Sequence, residues 1–100
     1  MMDIVFLREA RRELDPAVGY YNECSIGLGL DLQSRVEKPT RQIAENPARF
    51  GFLRDTGFRA ARLKRFPYLV VYLASEEMVW IVAVANERRH PDYWRRRIRE

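Results

Sequence analysis

The sequence has a single cysteine, Cys24, and a single histidine, His90. One cysteine excludes an internal disulfide, which suits a reducing compartment. One histidine and one cysteine also nearly empty the donor set that zinc prefers, so no metal site and no other cofactor is expected. Glycine and proline number only five each and form no linker, repeat or low-complexity tract. The 100 residues therefore read as one domain spanning 1–100. Long hydrophobic runs are missing too. Residues 4–7 are too short for the core of a signal peptide, and the longest apolar run, 78–85, falls far below a membrane span. The expectation is a soluble, cytoplasmic chain with no membrane partner. There is no P-loop, GxGxxG, HExxH or CxxC, so the enzyme classes those motifs mark have no support.

Hydrophobic residues make up 47% of the chain, enough for a core without covalent staples. The net charge is +4 and the isoelectric point near 9.6, which favours nucleic acid or an acidic protein as partner. Arginines crowd the last stretch: Arg88, Arg89, Arg95, Arg96, Arg97 and Arg99.

Residues 3–7 read as a first strand, since Ile4, Val5 and Phe6 favour extended backbone. Ala10, Leu14, Ala17, Val18, Tyr21 and Cys24 recur at helical spacing. Asp15-Pro16 interrupts them, predicting a short helical turn, a cap or kink, and a helix from 16 to about 25. Gly27-Leu28-Gly29 ends it. Leu32, Val36, Ile43 and Ala44 mark a second helix, kinked at Pro39 and stopped at Asn46-Pro47. Residues 48–57 read as a loop. Strands follow at 58–65, 69–74 and 78–85, the last central, with a tight turn at Phe66-Pro67-Tyr68 and a polar one at Ser75-Glu76-Glu77. His90-Pro91-Asp92 opens a basic C-terminal helix or tail. The order β-α-α-β-β-β implies an α+β domain, a helical hairpin on one face of a small, mainly antiparallel sheet. Its expected core is Leu14, Tyr21, Leu32, Val36, Ile43, Leu63, Val71, Ile81 and Val84.

Arg62 and Lys64 share a strand face that could hold phosphates, or could be a solvated edge charged against aggregation. Tyr21 and Tyr72 read as core, and Cys24 as a small core residue. Trp80 reads as packing or as a contact for a partner. Tyr93 and Trp94, beside arginines, are either a functional surface or the anchor of the tail. His90 could serve acid–base chemistry or simply be solvated.

The ordered set Arg65-Phe66-Pro67-Tyr68, Val71-Tyr72, Ile81-Val82-Ala83-Val84 and Arg88-Arg89-His90-Pro91-Asp92-Tyr93-Trp94 resembles the ParE-like branch of the RelE/ParE toxins. Glu13-Leu14, Tyr20-Tyr21, Leu28-Gly29 and Ile43-Ala44-Glu45-Asn46-Pro47 in the first half agree. The resemblance implies the toxin of a type II toxin–antitoxin system, of the kind that bears plasmid-stabilisation labels. Such a toxin inhibits growth and is neutralised by a cognate antitoxin, the resemblance implying a toxin–antitoxin hetero-oligomer. Its target would be DNA gyrase for a ParE-type member, or ribosome-bound messenger RNA for a RelE-type endoribonuclease that needs no metal. A nucleic-acid-binding module without toxicity is a third reading.

Under the nuclease reading the catalytic candidates are Arg62, Lys64, Arg89 and Tyr93. Under the binding reading the contact residues are Arg88, Arg89, Tyr93, Trp94, Arg95 and Arg96. Leu69 and Glu87 stand where the nuclease pattern has arginines, and Asn86 stands where many relatives have a histidine. Losing one group that stabilises developing charge commonly costs about two to three orders of magnitude in rate. These departures favour a toxin that binds a protein target and is not an enzyme.

Overall fold

The computed structural model describes residues 1–89 and 93–98. The expectation for His90-Pro91-Asp92 falls outside them. The element order is β1 (Asp3–Phe6), α1 (Arg8–Cys24), α2 (Leu28–Glu45), β2 (Arg59–Arg62), β3 (Tyr68–Ala74) and β4 (Met78–Asn86), then a single 3-10 turn at Arg95–Arg97. The sheet order is β1-β4-β3-β2, with β1 parallel to β4 and the other pairs antiparallel. This is the α+β domain expected from the pattern, and no helix of the described residues is long and apolar enough to cross a membrane.

Neither helix breaks at its proline. The helix expected to start at Pro16 is the second half of one continuous helix. Pro16 removes one backbone donor, but Pro16 and Arg12 are both exposed, so water reaches the freed carbonyl of Arg12. Helix α2 runs through Pro39, whose ring is buried, and beside it the Thr40 hydroxyl donates to the Val36 carbonyl at 2.8 Å. The last turn of α1 leaves Cys24 exposed, against the expectation of a core cysteine.

The helices meet most closely at Gly29. Its N–H, an orphan donor of the first turn of α2, donates to Asn22 Oδ1 at 2.8 Å. A Cβ built on Gly29 would lie 2.1 Å from the Val18 carbonyl oxygen. The position therefore demands glycine because of how closely the helices approach.

The core has two parts, one on each face of the sheet. Beneath the helices lie Ala10, Leu14, Leu32, Val36, Ile43, Leu63, Val70, Tyr72, Ile81 and Val84. Tyr21 is half-buried at the margin, its ring edge-on to Phe66 at 5.0 Å. On the opposite face Val71, Val82, Ala83 and Ala85 pack with Phe58 and Trp94, and Trp80 is half-buried beside them. Val71 is thus buried, as expected, but on the face away from the helices.

A register shift explains how Ile81 and Val84 share a face despite odd spacing. Val71 pairs with Ala83 while Tyr72 pairs with Ile81, so Val82 is the extra residue of a bulge in β4. The bulge flips the alternation and returns Val84 to the helix side.

Gly29→Ala should separate the helices and lower stability by about 2–3 kcal/mol, in the upper range for overpacking. A urea melt followed by circular dichroism measures the loss. Gly19→Ala, where an added Cβ meets nothing within 4 Å, is the control.

Candidate functional site

The sheet face away from the helices is shaped by three pieces: the loop before β2, the turn after β4 and the tail. The loop is rigid for its size. Leu53 N–H donates to the Phe58 carbonyl at 2.8 Å, and the Thr56 hydroxyl donates to the Leu53 carbonyl at 2.6 Å while accepting the Phe58 N–H at 3.0 Å. The turn after β4 opens at Asn86, whose Oδ1 accepts the Arg88 N–H at 2.9 Å. Asn86 therefore acts as a turn former, aiming Glu87 and Arg89 across the sheet. Glu87 N–H donates to the Pro67 carbonyl at 2.9 Å.

The tail is held by Glu13. Strand β1 leaves the edge of β4 after Leu7, whose N–H donates to the Ile81 carbonyl at 3.0 Å. Beyond that point the edge needs other partners. Glu13 Oε1 accepts the Val84 N–H at 3.1 Å, and Arg97 donates to the Val82 carbonyl at 3.1 Å. The two side chains join through contacts of 2.7 and 3.2 Å. The Tyr93 hydroxyl also donates to Glu13, and Arg89 approaches it at 3.9 Å. One carboxylate, 14% exposed, thus gathers a strand edge, a phenol and two guanidinium groups. Burial would lower the pKa of Arg97, but its hydrogen bonds to Glu13 and that negative charge outweigh burial and raise it. Burial and the hydrogen bond to Glu13 push Tyr93 up to about 12.

Between these pieces lies a cleft of about 480 Å³. Its floor is apolar, with Leu69, Ala85 and Trp94; Arg54, Arg62, Glu87, Arg89 and Tyr93 stand around it. Arg62 is paired with Glu87. Arg89 lies 3.9 Å above the Tyr93 ring, in cation–π contact.

The sequence candidates separate on this frame. Arg62, Arg89 and Tyr93 come together in the cleft, whereas Lys64 lines a different groove, between α2 and β2. Arg88, Arg95 and Arg96 are exposed and do not line the cleft. Trp94 is 3% exposed, its ring edge-on to Phe58 at 4.9 Å, so of the two roles open to it the structure gives it that of tail anchor. Glu13 was not among the candidates. A signal for it exists: Glu13 sits with Ala10, Leu14 and Ala17 in one helical stripe, a carboxylate where an apolar residue fits.

No protein-family model matches the chain, and no curated protein matches it. Among solved structures, a chain of the chromosomal ParDE TA system from P. aeruginosa superposes with a TM-score of 0.73. The match covers 86% of this chain and 96% of that one, at 16% identity. At that identity the likeness is one of fold, and the fold is ParE-like: a helical hairpin on a four-stranded mixed sheet.

Glu13→Ala should lower stability by about 2–4 kcal/mol, since it strands a partly buried Arg97 and the edge donor of Val84. Denaturant melts of Glu13→Ala and Glu13→Gln measure this, with Gln the milder change. Tyr93 adds a pH dependence. Its unfolded value is 10.0 and its native value about 12, so above pH 10 the unfolded chain loses a proton that the native chain keeps. Its contribution is complete below about pH 10 and lost as pH rises to about 12. Tyr93→Phe should flatten that part of the stability–pH curve.

Proposed function

We propose that the chain is the toxin of a type II toxin–antitoxin pair, that it arrests growth by binding a protein target, and that a cognate antitoxin neutralises it. DNA gyrase is the leading target. The ParE-like fold supports the toxin reading. The observation that carries the choice of mechanism is the state of the cleft's charges. Arg62 is tied to Glu87 and Arg89 is engaged by Glu13 and the Tyr93 ring, so of the arginines lining the cleft only Arg54 has no carboxylate partner among the described residues. Leu69 adds no cation to the floor. A ribonuclease needs a base for the 2′-hydroxyl and uncommitted cations for the developing phosphorane charge. Tyr93, protonated and donating to Glu13, is not such a base at neutral pH.

A cation-and-aromatic rim over an apolar floor suits protein recognition, because arginine and aromatic side chains dominate binding hot spots. The second reading, a RelE-type endoribonuclease, is favoured by the meeting of Arg62, Arg89 and Tyr93 in one cleft.

The purified chain should inhibit supercoiling by gyrase, and its expression without the antitoxin should arrest growth. Arg89→Ala should weaken target binding by ~1–2 kcal/mol with little loss of fold. Trp94→Ala should lose toxicity together with ~3 kcal/mol or more of stability, since a large buried ring is removed. Lys64→Ala should leave growth arrest unchanged. Codon-phased cleavage of ribosome-bound messenger RNA, abolished by Arg62→Ala, would establish the ribonuclease reading instead.

A further inference from the structure

Arg62 and Arg89 of the cleft are paired with carboxylates, but some cations elsewhere are not. Lys38, Arg49 and Lys64 line a groove of about 550 Å³ between α2 and β2, and none of the three has a carboxylate partner among the described residues. No carboxylate lines the groove; Ser34 and Gln42 are its neutral polar members. Uncompensated charge in a concave, partly apolar setting calls for an anionic occupant.

The wall of the groove narrows the choice. β2 is the outermost strand of the sheet. Leu63 N–H donates inward to the Tyr68 carbonyl at 3.0 Å, while Ala60 N–H points outward, to the Gly51 carbonyl at 3.2 Å. Backbone groups alternate along a strand, so those of Arg62, the last residue of β2, also point outward, beyond the reach of the 51–53 segment. This leaves open edge beside the unpaired cations. A polynucleotide could satisfy the cations but has no regularly spaced donors for the Arg62 carbonyl. An extended peptide offers donors and acceptors at the strand repeat, and its alternate side chains fall on one face.

We propose that the α2–β2 groove binds an acidic, extended segment of a protein partner, which adds as a strand to the outer edge of β2. Its carboxylates, at every second position, meet Lys38, Arg49 and Lys64. The inference rests on the toxin reading only for the source of the segment, which under that reading is the antitoxin.

The test titrates the full chain with a synthetic peptide alternating glutamate and valine. The same pattern with lysine for glutamate, and a single-stranded RNA of equal charge, are the comparisons. Calorimetry should show binding of the glutamate peptide alone or well above the others. The double variant Lys38→Glu, Lys64→Glu should lower its affinity at least ~10-fold, as expected for like charges facing across an interface. Arg62→Pro should weaken binding more than Arg62→Ala, because it removes the outward N–H while an edge strand tolerates proline there. If Arg62→Pro does not fold, hydrogen exchange of the unmodified chain replaces it: the Arg62 amide should gain protection with peptide. RNA binding as tight as peptide binding, indifference to the charge reversal, or an unprotected Arg62 amide would each overturn the proposal. Growth arrest and gyrase inhibition play no part in this assay, so the toxin reading stands or falls separately.

Discussion

The carboxylate of Glu13 does for β4 what a neighbouring strand would otherwise do. β1 is only four residues long and leaves β4 half-paired. An open edge with a bulge in it exposes backbone donors and acceptors that must find partners or water. Glu13 and Arg97 supply one acceptor and one donor at the bulge, and the ion pair between them locks both in place. The tail can then lie across the sheet and bury Trp94 on Phe58. Without that contact the face carrying Val71, Val82 and Ala85 would be open apolar surface. The second half of the core and one wall of the cleft therefore depend on a side chain from the first helix.

The same interaction divides the protein's charge. The chain is basic overall, yet on the cleft side Arg62, Arg89 and Arg97 are paired with Glu87 and Glu13, and Arg89 also stacks on Tyr93. Around the far edge of the sheet, Lys38, Arg49 and Lys64 have no carboxylate partner among the described residues. Composition alone cannot show this partition, because a net charge of +4 is the same wherever the pairs form.

Local signals made much of the fold legible. Apolar runs bounded by turn residues marked β3 and β4, helical spacing marked the hairpin, and Asn46-Pro47 marked the end of α2 at Glu45. Where the reading failed, distance or context was responsible. Pro16 looked like a helix start because its local chemistry is that of one; an exposed site let the helix run through. Strand 58–65 shortened to Arg59–Arg62 because the chain turns at Arg65, whose φ is +74°. Placing Arg62 and Lys64 on one strand face assumes that the strand continues beyond Arg62, which it does not. Of the residues that meet in the cleft, Arg62 is legible in the basic strand and Tyr93 in the aromatic–arginine cluster, while Arg89 is singled out by the family resemblance. Glu13 was missed because its partners lie 71 to 84 residues away, where no spacing rule reaches.

That separation also orders events as the chain folds. The α1–α2 crossing and the β3–β4 hairpin form between neighbours in sequence, so they close small loops and can appear early. Pairing β1 with β4, and then seating Arg97 on Glu13, closes nearly the whole chain and bears the largest entropic penalty. With the tail unseated, the sheet would have one face covered and the other bare, apolar surface of the kind that invites association with other chains. The knot at Glu13 is therefore a kinetic feature as well as a structural one, since how quickly it is tied sets how long each newly made molecule spends in its most adhesive form.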